Sequence, residues 1–128
     1  IPGPAGPLNV RIYRPTSETR LPTIVFCHGG GFVLGDLDTH DSICHRLAHS
    51  SGCAVVAVDY RRAPETRFPG ALDDCTAALR WIAHHAVDVD LDDQRLALCG
   101  DSAGGNLAAA TALRAKREGP AWPALLHA

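Results

Sequence analysis

Apolar residues in this chain fall into short runs separated by stretches with a helical rhythm. Residues 8–13 alternate as Leu-Asn-Val-Arg-Ile-Tyr, the pattern of a strand with one exposed face. Residues 23–27, 53–58 and 96–99 are apolar almost without interruption, as strands buried on both faces of a parallel sheet are. Between them lie three helical patterns. The first is expected to be capped by Asp38 or Thr39, to bury Ile43, Cys44, Leu47 and Ala48, and to end near Ser51-Gly52. The second opens at Pro69 and turns Ala71, Leu72, Cys75, Ala78, Leu79 and Ile82 to the sheet. The third, rich in alanine, starts at Ala103 and stops at a basic stretch followed by Gly119 and Pro120. Residues 1–7 read as a Pro/Gly-rich lead-in without a core pattern, 14–22 and 59–68 as turn regions, and 88–94 as a solvated acidic loop. This alternation predicts an α/β fold: a doubly wound, mostly parallel sheet with helices on both faces.

Composition narrows the partners. The chain has 128 residues, 46% hydrophobic and 20% charged, which suits one globular unit able to bury a core. Its net charge of -2 leaves no basic footprint for nucleic acid or an anionic membrane. No apolar run approaches the length of a membrane span, and the opening Ile-Pro-Gly-Pro-Ala-Gly-Pro has neither a basic nor an apolar leader segment. A first residue other than methionine suggests a piece of something longer. Five cysteines, an odd number, sit in apolar runs or on apolar helix faces, so buried free thiols and a reducing, cytoplasmic location are expected.

Candidate chemistry concentrates in Gly100-Asp101-Ser102-Ala103-Gly104, between a strand and a helix. In so sharp a turn, side chains two positions either side of the serine would collide, so glycine is required at 100 and 104. Ser102 is pushed to the tip as a candidate nucleophile. The amide of Ala103, at the start of a helix, is aimed where negative charge would develop. A second glycine loop, His28-Gly29-Gly30-Gly31-Phe32, follows the strand at 23–27 and can supply further backbone N–H donors to the same point.

These two blocks, with Tyr60-Arg61-Arg62-Ala63-Pro64-Glu65 and Phe68-Pro69-Gly70-Ala71-Leu72-Asp73-Asp74 between them, resemble the hormone-sensitive-lipase-like esterases of the α/β-hydrolase fold. The resemblance runs from Ile1 to about Pro120. It implies a serine carboxylesterase or lipase acting on short-to-medium acyl esters through an acyl-enzyme on Ser102, with Gly30, Gly31 and Ala103 as oxyanion donors. Gly29 would supply loop geometry and His28 would brace the loop. Asp101 is read as structural, as are Tyr60, Arg61 and Glu65. Asp73 and Asp74 would complement the dipole of their helix. The implied substrate is a small-molecule ester, with no cofactor; oligomeric state stays open.

In such enzymes the acid and the histidine follow the serine by on the order of a hundred residues. Glu118 lies on the nucleophile's own helix and His127 comes too early, so the chain is expected to be a partial catalytic domain, residues 1–128, inactive by itself and exposing an apolar edge where the strand after Pro120 would pair. Two alternatives stay open: a ligand-binding, receptor-like protein on the same scaffold, as in plant gibberellin receptors, and a non-functional gene fragment.

Other motifs carry less. Leu34 stands where a dinucleotide fingerprint needs its last glycine, and neither glycine cluster continues into Gly-Lys-Ser/Thr. Asp88-x-Asp90-x-Asp92 lacks the glycine and closing glutamate of a calcium loop. His45 and His49 share a helix face but have no third ligand in view, so no metal site is expected. His28 precedes the serine, whereas the triad histidine of this fold follows it. His84 and His85 suit the surface end of a helix.

Overall fold

The computed structural model describes residues 1–119 and the backbone of Leu126–His127. In chain order its elements are β1 (Pro2–Gly3), β2 (Gly6–Pro7), β3 (Val10–Tyr13), β4 (Leu21–Cys27), α1 (Asp41–Ser51), β5 (Ala54–Val58), α2 (Gly70–His85), a 3-10 turn (Val87–Val89), β6 (Leu91–Gly100), α3 (Ala103–Glu118) and β7 (Leu126–His127). The main sheet has the order β3-β5-β4-β6-β7, parallel except for β3. Val25 lies opposite both Val56 and Leu98, while Cys27 lies opposite Val58 and Gly100. The carboxyl ends of β4, β5 and β6 therefore stand level at one edge.

Continuous apolarity in the central strands has its cause in the packing. Val25, Cys27, Val56 and Val58 face a core shared with Cys75, Ala78, Leu79 and Ile82 of α2 and Leu107 and Ala108 of α3. Phe26, Val55 and Ala57 face the opposite side, against Cys44 and Ala48 of α1. Because side chains alternate along a strand, both faces must be apolar when both are covered. Burying a side chain such as Leu79 or Ile82 contributes about 1.5–3 kcal/mol, which is what holds α2 against the sheet.

The boundaries depart from the sequence expectations in several places. Neither Asp38 nor Thr39 caps α1; His40 holds that position without a side-chain cap. Asp36 instead accepts the amides of Asp38 and Thr39, and Thr39 Oγ1 accepts the amide of Asp36, closing a turn ahead of the helix. Asp41 is drawn to Arg11 and Tyr13 of β3. Ile43 is exposed rather than buried, while Cys44 and Ala48 are buried against the sheet and Leu47 packs there only partly buried. The lead-in pairs as a two-rung hairpin, Pro2 opposite Pro7, and the adjoining Leu8 is buried.

The acidic loop is the larger correction. Strand β6 begins at Leu91, and Asp92 is buried, accepting the amide of Gln94 and the Nε of Arg95. A register shift between Leu21 and Thr23 of β4 lets this polar stretch continue the strand as an irregularity that alternation cannot reveal. All five cysteines are free thiols; Cys27, Cys44 and Cys75 are buried as expected, but Cys53 and Cys99 are partly exposed. Strand β7 meets β6 at Leu96 and Ala97, supplying a first partner on the edge expected to be bare. Pro120 and the side chain of His127 lie outside the described residues.

Candidate active site

Two turns leave the level edge of the sheet side by side, because β4 and β6 are neighbours and Cys27 pairs with Gly100. The turn after β6 carries Ser102 at φ 53° and ψ -119°, a conformation that costs a non-glycine residue about 1–3 kcal/mol. Its tightness shows in the glycines. A Cβ on Gly100 would lie 2.4 Å from the Gly104 carbonyl carbon, and one on Gly104 would lie 1.9 Å from the Cys27 carbonyl oxygen. Ser102 is exposed and heads α3, with the amide of Asn106 donating to its carbonyl at 3.2 Å.

The turn after β4 is built from left-handed backbone: Gly30 at φ +123°, Gly31 at +63° and Phe32 at 65°. The amides of Val33 and Leu34 both donate to the Gly30 carbonyl, folding the loop back on itself. The amide of Gly29 donates to Asp101 Oδ1 at 2.8 Å, and a Cβ on Gly29 would lie 2.2 Å from Asp101 Oδ2. Asp101 thus fastens one turn to the other. Among the described residues, the amides of Gly30, Gly31 and Ala103 donate to no carbonyl or side chain. Ala103 also opens α3, where the helix dipole favours negative charge.

His28 braces the loop from beneath. It is buried, its Nδ1 lies 2.8 Å from the Gly29 carbonyl oxygen, and its ring stacks on Tyr60 at 4.2 Å and 14°. The Tyr60 hydroxyl donates to the His28 carbonyl at 2.7 Å. Burial pushes the His28 pKa below its ordinary value. The ring is therefore neutral near pH 7, and Nδ1 carries the proton that meets the Gly29 carbonyl.

Two features had no clear signal in the sequence. His40 Nε2 lies 3.5 Å from Asp101 Oδ1, and the His40 and His28 rings are 5.3 Å apart. Neither spacing nor composition sets His40 apart from the surface histidines. Asp74 does more than complement a helix dipole. It is buried and accepts the Arg61 amide at 2.9 Å and the Arg61 guanidinium at both oxygens, tying the turn after β5 to α2. Its place beside Cys75, on the buried face, was the available hint. Asp73 pairs with Arg114 of α3 at 2.6 Å.

An apolar cleft of about 370 Å³ opens next to Gly31, between the 63–69 segment, the first turn of α2 and the flank of α3. Among the described residues, no histidine bonds to the Ser102 hydroxyl and no three His, Cys, Asp or Glu side chains are placed to share a metal ion. No helix among them is long and apolar enough to cross a membrane.

Comparison with known proteins agrees with this geometry. A family model described as alpha/beta hydrolase fold matches residues 24–128. Esterase LipI of Mycobacterium tuberculosis is 49% identical over 122 residues, a match spanning 93% of this chain and 38% of the relative. Ethyl acetate hydrolase of Pseudomonas putida is 47% identical, the match spanning 87% of this chain and 36% of that protein. A solved hyperthermophilic esterase from the archaeon Pyrobaculum calidifontis superimposes with a TM-score of 0.91 at 52% identity, covering 93% of this chain and 39% of the other. The chain thus spans well under half the length of the relatives it matches. The paired turns, the left-handed serine and these likenesses together place the chain in the hormone-sensitive-lipase-like esterase family of the α/β-hydrolase fold.

Proposed function

We propose that these residues are the nucleophile-bearing portion of a serine carboxylesterase that cleaves short-to-medium acyl esters. The observation that carries the reading is the Gly29–Asp101 hydrogen bond, which holds a loop with free Gly30 and Gly31 amides against the turn that presents Ser102. Ser102 Oγ attacks the ester carbonyl carbon as its proton passes to a base. The carbonyl oxygen gains negative charge and is received by the amides of Gly30, Gly31 and Ala103. Collapse of the tetrahedral species expels the alcohol, which takes the proton, and leaves an acyl group on Ser102. Water then repeats the sequence and releases the acid.

No described histidine touches Ser102, so in this reading the base and its orienting acid come from another segment. The 128 residues alone then turn over esters far more slowly than the complete protein. Loss of one oxyanion donor costs on the order of 10²–10³ in kcat. The test is labelling of the complete protein with a fluorophosphonate. Covalent capture that disappears in Ser102→Ala supports the assignment. A folded protein that resists the reagent overturns it in favour of a non-catalytic binding role.

A further inference from the structure

We infer that Tyr60 is a positioning residue for ester cleavage, holding the ring of His28 and the His28–Gly29 peptide in the orientation that turns the Gly30 amide to the developing oxyanion. The inference rests on the reading of Ser102 as the nucleophile and of Gly30 and Gly31 as oxyanion donors. Tyr60 touches neither; it acts through His28.

Two successive peptide planes are held by side chains. In a trans peptide the carbonyl and the amide point opposite ways, so fixing one end sets the other. The His28 carbonyl accepts the Tyr60 hydroxyl at 2.7 Å and the Gly29 amide donates to Asp101 Oδ1 at 2.8 Å, so the plane between them is gripped at both ends. In the next plane the Gly29 carbonyl meets His28 Nδ1 at 2.8 Å, which turns the Gly30 amide away from the His28 ring. That contact depends on the angle of the ring. Tyr60 sets the angle by stacking on it, with centroids 4.2 Å apart and planes 14° apart. One side chain thus governs both planes, the first through its hydroxyl and the second through its ring. Rotation of the second plane would bring the Gly29 carbonyl oxygen where the Gly30 amide had been, and an oxygen there repels an oxyanion. Tyr60 is fully buried, and burial raises its pKa above the ordinary 10.0, so the hydroxyl keeps the proton it donates.

Tyr60→Phe removes the hydroxyl and keeps the ring. In the complete protein, with a p-nitrophenyl ester as substrate, it is expected to lower kcat about tenfold with little change in KM, since the amides matter most once the oxygen is charged. The rate at which a fluorophosphonate captures Ser102 should fall by a similar factor, because the phosphonyl oxygen uses the same donors. Tyr60→Leu, which removes the ring as well, should lose more of both. A double variant, Tyr60→Phe with Asp101→Ala, tests the shared peptide. Its kcat should fall little beyond that of Asp101→Ala alone, because the two side chains hold the same plane. Losses that multiply overturn the inference. So does a Tyr60→Phe protein whose urea midpoint falls while kcat and capture rate stay within about twofold of the unaltered protein, since Tyr60 then serves the fold alone. Absence of both capture and turnover in the unaltered protein overturns the nucleophile reading, and the role of Tyr60 with it.

Discussion

The amide of Gly29 donates to the side chain of Asp101 at 2.8 Å, and this hydrogen bond joins the loop after β4 to the turn that presents Ser102. Asp101 is next to the serine in sequence, yet its contribution is to a loop more than seventy residues away. A hydrogen bond to a charged acceptor contributes about 1.5–3 kcal/mol, and the half-exposed side chain of Asp101 puts it at the low end. Asp101→Ala is expected to lower kcat about tenfold with little change in KM, because the loop amides lose their fixed distance from Ser102. Asp101→Asn, whose amide oxygen can accept the same N–H, is expected to recover most of the loss. Steady-state kinetics of the two variants of the complete protein decides it.

Gly104 packs against backbone rather than against a side chain that could yield. A Cβ there would sit 1.9 Å from the Cys27 carbonyl oxygen and 2.6 Å from that of His28, so α3 and β4 would have to part. Gly104→Ala is expected to destabilise the fold by about 3 kcal/mol, the upper part of the usual overpacking range. At Gly105 the nearest atom to an added Cβ is 3.2 Å away, and Gly105→Ala should be far milder. Urea midpoints of the two variants test the contrast.

Two adjacent aspartates differ sharply in what they support. Asp74 is buried against Arg61, whereas the partners in the Asp73–Arg114 pair are both about one-third exposed. Removing one member of a buried pair typically costs about 3–5 kcal/mol, and the partial exposure of Arg61 favours the lower figure for Asp74→Ala. Asp73→Ala should cost about 1 kcal/mol or less, as for surface pairs. Chemical denaturation separates the two.

Burial lowers the pKa of His28 below its ordinary 6.5, so the unfolded chain binds this proton more readily than the folded one. The resulting stability is fully present above about pH 6.5 and is lost as pH falls from there toward the folded value. The carboxylates of Asp36, Asp41 and Asp92, held below their ordinary 3.8 by hydrogen bonds, act in a separate and more acidic window. A fall in urea midpoint should therefore begin below pH 6.5, together with an imidazole NMR titration of His28 centred under that value. A midpoint flat down to pH 5 contradicts it.

How much of this was legible beforehand depended on whether the cause was local. Wholly apolar runs at 23–27, 53–58 and 96–99 could only be strands covered on both faces, and helical rhythm between them required an α/β sheet. The Gly-x-Ser-x-Gly turn and the triple-glycine loop announced themselves because left-handed backbone and close approach leave glycine as the only residue that fits. The start of α1 was misplaced because Asp36 and Thr39 satisfy one another instead of the helix end. The polar beginning of β6 was hidden because a register shift against β4, not alternation, makes room for Asp92.

The order of residues alone therefore determined the layered fold and the two glycine turns, since each follows from the conformational limits and burial of neighbouring positions. Tertiary structure alone decided that Asp101 ties Gly29, that His40 stands behind Asp101, that Asp74 holds Arg61, and that an apolar cleft opens between Gly31, the first turn of α2 and the flank of α3. Those partners are brought together by strand order and helix packing, which no local spacing encodes.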